Sequence, residues 1–310
     1  MSKKMSIKSA IILLSAALIW GAAFSAQVTA GENGLGSFTF NGIRFLIGGI
    51  SLIPVILIFE RRRPSAESKP FIRCTMLPAM LSGVFLFAAA TLQQMGINIG
   101  KNGGKASFIT GFYIVLVPIF SLILFKKKTG FNVWVGALLA VLGLYFIGVV
   151  PGERISLGDL LVFAGAFFWA FQILTIDRYI GNAMPVRFAM IQFFTCGLIA
   201  LVIALFTEHI DLYAVAESKW AILYAGVMSS GIAYTLQIIG QKGSDPAVAS
   251  MLLSTESVFG ALSGLLINHT TLSPRAIAGC VLMFAGITVS QIAFRQPVRA
   301  AKNNTEGDGR

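Results

Sequence analysis

Charge is what this 310-residue sequence has least of. Only 12% of its residues are Asp, Glu, Lys or Arg, about half the share of a soluble domain. A soluble globular chain is thereby excluded. Histidine occurs twice and cysteine three times. His209 and His269 fall in predicted loops, and Cys74, Cys196 and Cys280 stand far apart. No disulfide framework and no zinc spacing follows from that pattern, and the cysteines read as small apolar packing residues. No cofactor or metal is expected. No histidine lies in an apolar run, so an active site of nucleophile and base has little to work with. A phosphate-binding loop of the Gly-x4-Gly-Lys-Ser/Thr type is missing, which rules out direct drive by ATP. Short alternating strands, the mark of a membrane β-barrel, are missing too.

What the sequence does have is length of apolar run. Hydrophobic residues make up 56%. Ten runs lie near 7–28, 37–59, 75–97, 104–125, 131–150, 157–178, 184–206, 218–240, 246–267 and 273–294. Each is long enough to cross the ~30 Å hydrocarbon core as a helix. The first, preceded by Lys3 and Lys4, resembles a secretory signal. It is long for a signal core, however, and its Trp20 has a counterpart later in the chain, so it is read as a retained span. Fold class is therefore an all-α integral membrane protein with ten transmembrane helices.

The net charge of +11 has a membrane explanation. Eighteen Lys and Arg fall in one set of loops and tails, including Arg61 to Arg63 and Lys126 to Lys128, against five in the other set. By the positive-inside rule both termini are cytoplasmic. The expected location is the cell (inner) membrane, and nucleic acid is not an expected partner. The polar stretch 295–310 reads as a disordered cytoplasmic tail.

The two halves, 7–150 and 157–294, resemble each other. Ala17-Leu-Ile-Trp20 matches Ala166-Phe-Phe-Trp169, and Thr91-Leu-Gln93 matches Thr235-Leu-Gln237. Ala106-Ser107 matches Ala249-Ser250, and Gly136 and Gly143 match Gly279 and Gly286. The offset drifts only at loops. A unit of five crossings must lie upside down in its second copy, so the plan is two inverted five-helix repeats, with a substrate site between them near the midplane.

Polar and aromatic residues inside the runs are the site candidates. Trp20 and Trp169 sit near mid-membrane, where they stack on a substrate or fill the core. Gln93 and Gln237 fall near opposite mouths of the bundle. Gln94 shares a face with Thr91 and Asn98, Gln172 neighbours Trp169, and Tyr234 shares a face with Gln237. Tyr113 joins the set from the fourth run. Arg44 lies within the second run: it pairs with Glu256, binds a carboxylate ligand, or anchors its helix. Glu256, alone in the ninth run, is the proton-coupling candidate, because ionisable groups inside a membrane are costly and serve relays and pathways. For all of these, a hydrogen bond between helices is the competing role. Pro118 is expected to kink the fourth run. Gly136, Gly143, Gly279 and Gly286 read as packing residues.

Several segments carry a family resemblance. Val115-Leu-Val-Pro118-Ile-Phe, Lys126-Lys-Lys and Val133-Trp-Val-Gly136 to Gly143 resemble the end of the first repeat of EamA-type members of the drug/metabolite transporter superfamily. Ser254-Thr-Glu256-Ser-Val-Phe-Gly-Ala and Ala278-Gly279 to Gly286 resemble the end of the second. The resemblance implies ten helices, cytoplasmic termini and movement of small metabolites such as amino acids, nucleosides or drug-like compounds, usually outward. Two departures stand out. Ser257 occupies a place where the family often has Pro. The Lys126 cluster and Asn268-His269 stand where an acidic residue is common. The expected activity is secondary-active export by alternating access. An uncoupled facilitator is the alternative, and a membrane-embedded enzyme is less favoured. Partners are a small-molecule substrate and the bilayer, with proton coupling and a homodimer both open.

Overall fold

The computed structural model describes residues 5–59, 71–149, 152, 154–267 and 273–291. Among these residues the regular structure is all helical. Among the described residues nine stretches are long and apolar enough to span a membrane: α1 Ile7–Glu32, α2 Ser37–Ile58, α3 Ile72–Gly100, α4 Gly103–Phe125, α5 Phe131–Gly148, α6 Leu157–Tyr179, α7 Pro185–Thr207, α8 Lys219–Gln241 and, last of them, α10 Pro274–Gln291. The expected ninth run, α9, is two shorter helices, Pro246–Leu253 and Glu256–Ile267. They are separated by a turn at Ser254-Thr255. The tail 295–310 and the loop residues Asn268 and His269 lie outside the described residues.

Local chemistry sets the helix ends. Ser156 caps α6 in a reciprocal box with Asp159, satisfying two orphan backbone donors at once. Asn102 caps α4 and Asp245 caps α9, and these two residues are separated by the same 143 positions as Gly136 and Gly279. Lys101 and Lys126 end α3 and α4 in the left-handed conformation, at φ 50° and 53°. The start of α2 has no cap of its own. Glu208, at the end of α7, supplies one from a distance: its carboxylate accepts from the Phe38 and Thr39 amides at 2.9 and 2.8 Å.

The halves are related by a two-fold exchange. α3 packs on α6 as α8 packs on α1. α4 packs on α6 as α9 packs on α1, and α7 packs on α3 as α2 packs on α8. The pairs α5–α10 and α2–α7 map onto themselves. Direction is settled by the glycines. A Cβ on Gly136 would sit 2.5 Å from the Gly286 carbonyl oxygen, and one on Gly143 would sit 2.6 Å from that of Gly279. Equivalent helices α5 and α10 therefore run antiparallel in backbone contact. In α2 and α7, Gly42 meets Leu201 while Gly49 meets Phe194, again antiparallel. An axis along the membrane normal would have made these pairs parallel, so the repeats are inverted.

The small-residue seam of α5 and α10 gives the close approach that helix pairs use in lipid. Gly143→Val is expected to lower stability by about 1–3 kcal/mol through overpacking. Gly104→Ala, whose Cβ would meet only Asn102 Oδ1 at 3.5 Å, is expected to leave it unchanged. Thermal unfolding of the detergent-purified protein, read by size-exclusion recovery, compares the two.

Candidate functional site

The polar centre of the bundle is built on two helices that tighten at mid-length. α4 turns at Gly111-Phe112 before Tyr113, and α9 at Ser254-Thr255 before Glu256, and backbone hydrogen bonds run on through both turns. These turns are equivalent under the 143-residue offset. Tyr113 and Glu256 are thus the same position in the two repeats, and the Tyr113 hydroxyl donates to Glu256 Oε1 at 3.2 Å. A bond between symmetry-equivalent residues places both on the two-fold axis. Glu256 also lies in the first turn of its helix, where the backbone dipole favours negative charge. Pro118 lies inside the helix Tyr113–Phe125, after the turn at Gly111-Phe112.

Three rings meet beside this pair. Tyr234 of α8 lies 4.6 Å from Trp20 of α1 and 5.9 Å from Trp169 of α6, centroid to centroid, and its ring is nearly parallel to that of Trp169, at 17°. Trp20 Nε1 donates to the Ser229 carbonyl at 3.3 Å. Trp169 Nε1 is buried without a partner among the described residues. Arg44 of α2 is buried, with its guanidinium over Phe45 at 4.6 Å and Phe40 at 5.1 Å. Its Nε donates to Asn41 Oδ1 at 2.9 Å.

These groups line one cavity. Trp20, Arg44, Gln93, Tyr113, Trp169, Tyr234, Gln237 and Glu256 all reach it. Its free space is about 30 Å³, enough for about two waters. Gln93 and Gln237 both face this cavity, each from the part of its helix nearer a different end of the bundle. Gln93 donates to Thr110 at 2.8 Å, while Gln237 and Gln172 exchange amide contacts at 3.1 and 3.4 Å. Two sequence candidates stand back. Gln172 acts through Gln237, and Gln94 donates to the Gln27 carbonyl and to Asn98, tying α1 to α3 beside the cavity. Of the three roles open to Arg44, the pairing with Glu256 is not formed: among the described residues Glu256 bonds to Tyr113, and Arg44 makes no ion pair.

Sequence reasoning missed Gln27, Thr110 and Asn41. Gln27 had a signal: with Trp20, Ala23 and Phe24 it completes an i, i+3, i+4, i+7 stripe, and all four line the cavity. Thr110 had none, since its repeat equivalent is the apolar Leu253.

Fold and site together define a polytopic helical membrane protein of two inverted halves around a buried polar-aromatic cavity. The EamA-like transporter family matches residues 7–149 and again 156–291, and this chain belongs to that family. It is 26% identical over 276 residues to an uncharacterized transporter of Archaeoglobus fulgidus, covering 88% of this chain and 82% of that one. It is 22% identical over 307 residues to the uncharacterized transporter YoaV of Bacillus subtilis, covering 93% and 98%. A solved structure superposes with a TM-score of 0.73 at 19% identity, covering 93% of this chain and 98% of its own, a likeness of fold.

Removing the Tyr113 hydroxyl leaves a buried carboxyl oxygen without its donor, at a cost of about 1–3 kcal/mol. Tyr113→Phe is therefore expected to melt several degrees lower than the parent. Glu256→Gln, which keeps an acceptor for the phenol, is expected to melt close to it. Thermal unfolding in detergent distinguishes them.

Proposed function

We propose that this protein is a secondary-active transporter of ten crossings, inserted in the cell membrane with both termini cytoplasmic. It exports small metabolites by alternating access, with Glu256 as the proton-carrying group. In this reading α9 counts as one crossing with a turn at Ser254-Thr255. Substrate and coupling-ion sites of inverted-repeat transporters lie near the midplane, at the interface of the repeats. The observation that carries the proposal is the Tyr113–Glu256 bond. It joins the two repeats at one equivalent position, inside the cavity, directly after both mid-helix turns. A relative motion of the halves strains that bond directly, so protonation of Glu256 and the arrangement of the bundles are coupled.

The orientation is supported by Lys126, Lys127 and Lys128, which follow α4, and by Arg178 and Arg187 around the α6–α7 turn, all at the end of the bundle assigned to the cytoplasm. Two ion pairs brace α4 against α6, one at each end: Lys105 with Asp159 at 2.9 Å and Lys127 with Asp177 at 3.3 Å. The equivalent seam between α9 and α1 has Val248, Ala10 and Val28 at three of those places. We assign the larger share of movement to that unbraced seam.

The test is reconstitution into liposomes, with uptake of labelled small metabolites measured with and without a pH gradient. The parent protein is expected to respond to the gradient. Glu256→Gln is expected to lose about tenfold or more of the gradient-driven rate while still exchanging substrate down its own gradient. Full gradient-driven transport by that variant would remove the proton role, and a gradient-independent parent would mark a facilitator. Metabolites that accumulate in the medium on overexpression establish the direction.

A further inference from the structure

We infer that Arg44 is the substrate's carboxylate anchor, so that the transported molecule is a small carboxylate bearing a flat apolar group. The inference rests on the central cavity being the transport site.

Arg44 heads the largest fully buried side chains of the protein, at 2% exposure, and it lines the cavity. A guanidinium stays charged in any protein setting and carries five N–H donors. One, on Nε, is spent on Asn41. The four on the terminal nitrogens have no hydrogen-bond partner among the described residues. Phe40 and Phe45 hold the guanidinium from within α2, and cation–π contact of this kind leaves the in-plane donors available. The acid that shares the cavity, Glu256, is turned to Tyr113. The result is a fixed, buried cation with its fork of donors unmatched. The forked geometry is the one that takes a carboxylate through two parallel bonds.

The apolar half of the molecule is read from the rings. Trp169 and Tyr234 are stacked at 5.9 Å, and Trp20 closes the same group against Tyr234 at 4.6 Å. Aromatic faces stack on a further flat group through the same offset or tilted geometries they adopt with each other. Trp169 Nε1, buried and without a partner among the described residues, offers one more donor at the edge of that stack. The free space is about 30 Å³, so the substrate enters when the halves part and the rings separate. An ammonium group on the molecule is optional, and Glu256 is placed to receive one.

The test is equilibrium binding to the full-length purified protein, using labelled 3-phenylpropionate. Competitors are phenylalanine, which adds an ammonium group, 3-phenylpropionamide, which removes the charge, and 2-phenylethylamine, which reverses it. Displacement by unlabelled 3-phenylpropionate, with or without displacement by phenylalanine, is expected, and the amide and the amine are expected to fail. Arg44→Gln is expected to weaken carboxylate binding about tenfold or more. A second variant, Asn41→Asp, keeps the arginine but gives it an internal counter-ion. It is expected to weaken the carboxylate as well, which guards against a folding defect in the first. Competition by the amide equal to that by the carboxylate, or unchanged carboxylate affinity in a folded Asn41→Asp protein, overturns the inference. Liposomes that move amines but ignore carboxylates overturn it while leaving the transporter reading intact. Carboxylate binding through Arg44 in a protein that moves nothing supports the anchor and overturns the transporter reading instead.

Discussion

Inside a bilayer every backbone polar group has to be satisfied within the protein, because lipid supplies no partner. α4 and α9 meet that constraint while tightening at equivalent places: the Ile114 amide donates to the Gly111 carbonyl and the Ser257 amide to that of Ser254, each three residues back. The seam of α5 and α10 packs beside them through backbone contact at four glycines. α1 and α6 flank them, α6 packing on α4 and α1 on α9, with Trp20 and Trp169 turned to the same cavity. The Ser257 hydroxyl of α9 donates to the Ser107 carbonyl of α4 at 2.9 Å, so the two helices also bond to each other directly. Tyr113 and Glu256, which follow the two turns, are bonded across the repeats.

Most of the fold is legible in the sequence because it rests on periodicity and repetition. Apolar runs locate the helices. Residue pairs at constant offset locate the halves, and the odd number of runs per half sets their inversion. Gly136, Gly143, Gly279 and Gly286 are recognisable as packing residues, and they form the α5–α10 contact. The mid-helix turns are not legible. Gly111-Phe112 and Ser254-Thr255 are ordinary residues for a helix in lipid, and Pro118, the stronger local signal, lies inside its helix. A turn that keeps helical dihedrals and only shortens a few backbone bonds leaves no mark in local propensity.

The site is legible in membership more than in wiring. Buried polar side chains at helical spacing in apolar runs are costly enough to stand out, and most of those named do converge. Their partners cannot be read from spacing. Arg44 and Glu256 suggest an ion pair because opposite charges attract. Yet Glu256 sits on the axis within reach of Tyr113, and Arg44 is held on its own helix by Asn41, Phe40 and Phe45. Gln94 and Gln93 are adjacent in sequence and about 100° apart on the helix. That rotation sends one to Gln27 and Asn98 and the other to the cavity.

An inverted repeat of identical halves would give two end states of equal energy, each the image of the other. This chain departs from identity where it matters. Gln93 finds Thr110, whereas its equivalent Gln237 faces Leu253 at that place and takes Gln172 instead, a position that is Ala23 in the first half. α4 is braced to α6 by ions at both ends, whereas three of the four matching positions in α9 and α1, Val248, Ala10 and Val28, are apolar. Under the alternating-access mechanism proposed above, each departure would stabilise one arrangement without a counterpart in the image state, so the two ends of such a cycle would differ in energy by the sum of such terms. A ligand or proton would then need only to bind the two states unequally to move the population between them. On that proposal the symmetry supplies the path, and the substitutions that break it decide where along that path the empty protein rests.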